Sequence, residues 1–210
     1  MRTSSRSLAV VLFDEVALLD ISAPLEVLTT AGRNWNFRPF KVFTVAAAAG
    51  RIKTPSQIEV TAHGSFDTCP SPEVVLVPGG YGARRALADG AVVGYLSRAG
   101  ATASIVFGVG NGVLLLGKAG LLGESAVSVT AEAAERLLEE CPGAKPDTQA
   151  RFRKEGKLVT AATSGGAVDA ALQLVSDLLG RKQAVAVAAA LGAPPPTKSG
   201  EGVEIVDVTK

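Results

Sequence analysis

The stretch Ser104-Ile105-Val106-Phe107-Gly108-Val109-Gly110-Asn111-Gly112-Val113-Leu114-Leu115-Leu116 holds the residues best placed for chemistry. Ser104 to Phe107 is short, apolar and β-branched, the pattern of a buried strand. Glycines follow at 108, 110 and 112, and Val113 to Ala119 reads as the start of a buried helix. A strand that turns into a helix through glycines bends through dihedrals that other residues resist. It also leaves unpaired helix N–H groups at its tip. In many α/β enzymes a nucleophile stands at such a tip. Here the tip presents Gly110 and Asn111, and neither can attack an electrophile. What remains is a row of amide donors over a small void, a seat for a carboxylate, a phosphate or a developing oxyanion.

Other residues bear on the same chemistry. Asp20 stands just ahead of an expected helix, near the end of the first strand. It reads either as a general acid/base whose pKa is raised by burial or as a helix-entry aspartate capping backbone N–H groups. Gly79 and Gly80 follow a buried strand and read as oxyanion donors, as a tight turn, or as both. Asn111 either orients a ligand or caps the helix beginning at Gly112 or Val113. Tyr81 is the better pocket candidate of two isolated aromatics, the other being Trp35. Thr163-Ser164-Gly165-Gly166 looks like a helix start whose Ser or Thr caps. Cys69 and Cys141 read as structural thiols rather than replacement nucleophiles. Glu15 and Glu26 read as surface charges. No His/Cys/Asp spacing suggests a metal site, and no Gly-x-Gly-x-x-Gly follows the first strand, so neither metal nor cofactor is expected.

These residues need a frame. Ser7 to Phe13 reads as a first strand, then a helix over Leu25 to Thr30 with Ser22 as its cap, Pro24 in its first turn and Gly32 at its end. Phe40 to Ala46 is a second strand, and Ile52 to Thr54 with Gln57 to Thr61 a hairpin. Val74 to Val77 is a buried strand, and Ala83 to Leu87 and Ala91 to Ala99 are short helices. Ala126 to Val129 is a strand and Ala131 to Glu140 an exposed helix. Phe152 to Lys154 and Lys157 to Thr160 form a hairpin, which takes in the basic run Arg151 to Lys154. Ala167 to Leu179 and Gln183 to Leu191 are helices. Residues 1–192 make one domain, and 193–210 a Pro-rich tail in which Val203 to Val208 could add an edge strand. Alternating strands and helices predict an α/β fold with a mostly parallel sheet covered on both faces. Ligands of such sheets bind at the C-terminal ends of the strands, which is where Asp20 falls.

The 210 residues are 47% apolar and 20% charged, with a net charge of +1. That balance carries no footprint for nucleic acid or an anionic membrane. Two cysteines are too few for a disulfide framework, and the apolar run from Leu8 is too short for a signal or membrane segment. A cytoplasmic protein is expected.

Four motifs occur in an order that resembles the ThiJ/PfpI family of the class I glutamine amidotransferase-like superfamily. They are Leu19-Asp20-Ile21-Ser22-Ala23-Pro24, Ser65-Phe66-Asp67-Thr68-Cys69-Pro70, Val77-Pro78-Gly79-Gly80, and Gly110-Asn111-Gly112 continuing to Leu122. Gly156-Lys157-Leu158-Val159-Thr160 and Val168-Asp169-Ala170-Ala171-Leu172 resemble the isonitrile hydratase-like branch in particular. The resemblance spans about residues 7 to 192. It implies a flavodoxin-like three-layer sandwich, a homodimer, and a site built from an acid, the Pro-Gly-Gly backbone and an elbow cysteine. The acid carries over to Asp20 and the backbone donors to Gly79 and Gly80. The cysteine falls on Gly110. The histidine often found after the elbow falls near Thr130, and the single histidine, His63, lies far from that position. The resemblance thus points to a cysteine-independent lyase, hydratase or isomerase acting on a small polar metabolite, with Asp20 moving the proton. The alternative is a non-catalytic ligand-binding or regulatory pseudoenzyme using the same pocket.

Overall fold

The computed structural model describes residues 5–33 and 37–196. Trp35 and the edge strand considered at Val203 to Val208 lie outside them. The strands are β1 (Arg6–Val11), β2 (Phe40–Ala46), β3 (Gly50–Lys53), β4 (Glu59–Ala62), β5 (Gly64–Ser65), β6 (Val74–Val77), β7 (Ile105–Val109), β8 (Ala126–Ser128), β9 (Lys145–Asp147), β10 (Phe152–Glu155) and β11 (Leu158–Ala161). The helices are α1 (Leu18–Thr30), α2 (Ala83–Ala86), α3 (Gly90–Thr102), α4 (Gly112–Lys118), α5 (Ala131–Glu140), α6 (Ser164–Leu179) and α7 (Arg181–Leu191).

A seven-stranded sheet runs in the order β10-β11-β7-β6-β1-β2-β5. Every neighbouring pair is parallel except β10 with β11. All residues of β6 and β7 are buried, as a parallel strand covered on both faces requires. Helices α1, α6 and α7 pack together, while α2, α3, α4 and α5 form a second group. The fold is therefore the expected α/β sandwich with a mostly parallel central sheet. Leu8, Leu76, Phe107, Leu115, Phe152 and Leu172 are among its fully buried side chains, each contributing about 1.5–3 kcal/mol relative to exposure.

Several boundaries differ from the expectation, each for a physical reason. Helix α1 begins at Leu18, before Ser22, because the Ala17 N–H donates to Gly79 O (2.9 Å) and fixes the chain there. Ser22 is inside the helix, its hydroxyl donating back to Leu18 O (3.0 Å). Asp20 thus belongs to the first helical turn instead of preceding it. Strand β5 is only two residues long, too short to carry a periodic signal. Strands β8 and β9 pair with each other in a small parallel sheet. Ser128 pins that sheet to the main one: its N–H donates to Thr160 Oγ1 (2.9 Å) and its hydroxyl to Ala150 O (2.5 Å).

Candidate active site

Parallel strands bring their C-terminal ends together, and four connections converge there. They are the start of α1, the turn after β6, the turn after β7 and the start of α6. Asp20 enters from α1 and is 7% exposed. Its Oδ2 accepts the Gly79 N–H at 3.1 Å, and its Oδ1 accepts the Ser164 hydroxyl at 2.5 Å. Burial pushes this carboxyl above the ordinary aspartate range, and the Ser164 and Gly79 hydrogen bonds oppose the rise. The group is therefore held closer to neutrality than a surface aspartate, and in one orientation.

Gly110 closes the other side. Its φ of +53° is the left-handed turn that glycine enters without cost. Apart from its chain neighbours, only two heavy atoms lie within 4 Å of where its side chain would begin. They are Asp20 Oδ2 at 3.2 Å and Ala162 O at 4.0 Å. The position is a hollow edged by a carboxyl and a carbonyl. Gly112 has a different duty. A side chain there would start 2.1 Å from Val77 O, so the close approach of α4 to the end of β6 needs glycine.

The amide donors are distributed less simply than expected. The Gly79 N–H is engaged by Asp20, because the carboxyl sits directly beneath the Pro-Gly-Gly turn. The Gly110 N–H donates to Ala161 O (2.9 Å), extending the β7–β11 pairing. The Gly80 and Asn111 N–H groups donate to no acceptor among the described residues. Asn111 occupies the N-cap position of α4, but in helical conformation and without a side-chain cap bond, which corrects the capping reading. It lines a cleft of about 120 Å³ together with Arg84, Glu132 and Arg136.

Two further candidates are placed differently. Tyr81 is 78% exposed. It follows directly on Gly80, which bridges to Val16. Thr130 is exposed and caps α5, its hydroxyl accepting the Ala133 N–H at 3.3 Å. At the other end of the sequence motif list, Thr163 caps α6 by accepting the Gly166 N–H (3.2 Å) while Ser164 turns to Asp20. The cap and the pocket contact both occur, one residue apart.

The remaining polar groups have local roles. Glu15 and Glu26 pair with Arg85 (2.7 Å) and Arg33 (3.0 Å) at the surface. Arg151, Arg153 and Lys154 pair with Asp169, Asp147 and Asp177. His63 Nδ1 lies 2.5 Å from Thr44 Oγ1, between β4 and β5. Cys69 and Cys141 are free and half-buried, and burial pushes the Cys141 thiol upward. Among the described residues, no group of three or more His, Cys, Asp or Glu side chains could hold a metal ion. No described helix is long and apolar enough to cross a membrane.

Comparison with known proteins identifies the family and the fold. Residues 6–177 match the DJ-1/PfpI family. Isonitrile hydratase of Pseudomonas putida is 29% identical over 169 residues, covering 80% of this chain and 70% of that protein. A ThiJ/PfpI family protein from Pseudomonas syringae superposes with a TM-score of 0.81 at 22% identity, over 95% of this chain and 80% of that one. An AraC family transcriptional regulator from Pseudomonas putida superposes with a TM-score of 0.73 at 23% identity, over 89% and 99%. Drosophila melanogaster DJ-1beta does so with a TM-score of 0.75 at 19% identity, over 91% and 100%.

Proposed function

We propose that this chain, which belongs to the DJ-1/PfpI family, is a cysteine-independent hydratase or related lyase or isomerase acting on a small polar molecule. The observation that carries the reading is the pairing of a buried, doubly hydrogen-bonded Asp20 carboxyl with a side-chain-free residue 110, Asp20 Oδ2 lying 3.2 Å from where a side chain there would begin. A thiol cannot act there, so the hollow is available to substrate and water, and Asp20 is the group within proton-transfer reach.

Hydration of an isonitrile, the activity in the name of the Pseudomonas putida relative, illustrates how such a site would work. Protonated Asp20 gives its proton to the terminal carbon of R–N≡C. Water adds to the same carbon and returns a proton to the carboxylate. The resulting R–N=CH–OH tautomerises to the formamide R–NH–CHO. No covalent enzyme intermediate forms, and one water is consumed. The raised pKa favours the acid form that the first step needs. The Gly80 and Asn111 N–H groups, which lack acceptors among the described residues, are free to hold the oxygen of the attacking water or of the product. A homodimer would suit the exposed Leu19 (62%) and Tyr81 (78%) near this end of the sheet.

A second reading is a binding protein that holds the same kind of molecule without turnover. The absence of any nucleophilic side chain at Gly110 favours it. Incubation with cyclohexyl isonitrile, with the formamide followed by NMR, separates the two. Formation of product that disappears in Asp20→Asn supports the enzyme. Product formed equally well by Asp20→Asn sinks it, and saturable binding without product leaves the second reading in place.

A further inference from the structure

The carbonyl of Ala162 edges the hollow at Gly110, its oxygen 4.0 Å from where a side chain there would begin. It accepts no hydrogen bond among the described residues. The residue that carries it is nevertheless held firmly. The Ala162 N–H donates to Ser128 Oγ (3.1 Å) and to Arg151 O (3.2 Å). Ser128 is fully buried, and its own hydroxyl is fixed by donating to Ala150 O (2.5 Å). Thr163, the next residue, caps α6. A carbonyl that is held in place, yet left open beside a hollow, is an acceptor that need not reorganise to bind. On the hydratase reading above, on which this inference rests, we propose that the Ala162 carbonyl is a catalytic group. With Asp20 Oδ2 it holds the water that adds to the substrate, and Ser128 is its positioning residue.

Hydration asks for two acceptors of different strength. Water attacks through a lone pair, so its two hydrogens must be directed away from the carbon. One leaves as a proton, and the Asp20 carboxylate takes it. The other stays on oxygen in R–N=CH–OH, and needs an acceptor that does not remove it. A peptide carbonyl is a far weaker base than a carboxylate and suits that second place. One C–O bond forms, one proton passes to Asp20, and the second O–H bond is kept until tautomerisation. The Asn111 N–H adds a donor at the same end. Asn111 N and Asp20 Oδ2 lie 2.7 and 2.9 Å from the point where a side chain on Gly79 would begin. A water among these groups has two acceptors and one donor, within the two to four polar partners that an ordered water needs. One lone pair is left for the carbon.

The test joins a high-resolution crystal structure of the full chain to turnover of cyclohexyl isonitrile. The structure is expected to hold an ordered water hydrogen-bonded to both Ala162 O and Asp20 Oδ2. Gly110→Ala puts a methyl beside both oxygens. It should displace that water and lower kcat at least about tenfold. Ser128→Ala should lower kcat by about ten- to a hundredfold, as a small misplacement of a reacting group does, with KM little changed. Ser128→Thr keeps the hydroxyl and should restore the rate. If Ser128→Ala does not fold, the water and the Gly110→Ala rate decide. An active wild type without the water would overturn this proposal and leave the hydratase reading standing. The water present in a chain that forms no formamide would overturn that reading, and with it the role of the water as nucleophile. Unchanged kcat in Gly110→Ala after loss of the water would make it a spectator. Unchanged kcat in a less stable Ser128→Ala would make the serine structural only, and either result overturns the proposal.

Discussion

The Oδ2 atom of Asp20 lies 3.2 Å from the point where a side chain on Gly110 would begin. This distance ties two residues 90 positions apart into one site. Anything occupying the hollow is within hydrogen-bond reach of the carboxyl. The carboxyl in turn cannot swing away, because the Gly79 N–H and the Ser164 hydroxyl hold one oxygen each.

Asp20→Asn keeps the shape and removes the titrating proton. Turnover should fall by at least about a hundredfold, the usual contribution of a positioned acid/base group. Stability should move the other way. The folded-state pKa of Asp20 is raised, so the folded chain holds its proton more tightly than the unfolded chain does. Its contribution is fully present below the ordinary aspartate value of 3.8 and is lost as pH rises through the folded-state pKa. The variant should therefore melt at or above the wild type at pH 7, with the difference shrinking toward pH 4. Thermal melts across that range check the sign, and a variant that becomes steadily less stable than wild type as pH rises would contradict it.

Gly110→Cys restores a side chain to the turn. Two effects oppose it. The φ of +53° costs a non-glycine residue roughly 1–2 kcal/mol. The new Cβ also meets Asp20 Oδ2 at 3.2 Å, tighter than ordinary contact. The midpoint of chemical denaturation should fall accordingly while the fold survives, since the carboxyl tip can give by a few tenths of an ångström. Alkylation of the folded variant should be faster at residue 110 than at half-buried Cys69 or Cys141, as read by mass spectrometry. An inert thiol at 110 would mean that the hollow is closed.

Much of this frame is legible in the sequence, and the reasons it fails elsewhere are local. Val74–Val77, Phe40–Ala46 and Ala131–Glu140 have the bounds their patterns predict, because each is a clean apolar or amphipathic run between strong breakers. The start of α1 is shifted because a long-range bond, Ala17 N–H to Gly79 O, outweighs the local Ser22 signal. Pairing of β8 with β9 depends on two three-residue strands, too short for periodicity to register. At the site, residue types point to Asp20 and the elbow, but not to which donors are engaged. The contact from Ser164 to Asp20 spans 144 residues, and only topology delivers it. The orientation of the Gly79 N–H toward Asp20, and not into the hollow, likewise follows from where α1 begins.

Gly112→Ala separates the elbow's geometry from its chemistry. The added methyl would sit 2.1 Å from Val77 O and 2.8 Å from Pro78 O, both backbone atoms that cannot rotate aside. Overpacking of this kind costs about 3 kcal/mol. Urea denaturation should show a loss of that order, with Gly110→Cys less affected. If Gly112→Ala is as stable as wild type, α4 does not pack as closely on the end of β6 as described.

Ser164→Ala tests whether Asp20 works through its acid form. The Ser164 hydroxyl stabilises the ionised carboxyl, so its removal raises the Asp20 pKa further. If the protonated acid donates in the rate-limiting step, the alkaline limb of the pH–rate profile should move to higher pH in the variant. A group acting as a base from its ionised form would instead move the acidic limb upward, and a purely structural serine would lower stability without moving either limb. Stability should fall by about 1.5 kcal/mol at neutral pH, the usual worth of a hydrogen bond to a charged group. That loss should shrink as pH falls through the folded-state pKa of Asp20, which lies above the ordinary aspartate value, because the folded carboxyl is then protonated and the serine has no charge to stabilise. Parallel profiles of rate and melting temperature against pH, for wild type and Ser164→Ala, therefore decide the role of Asp20 as well as its state.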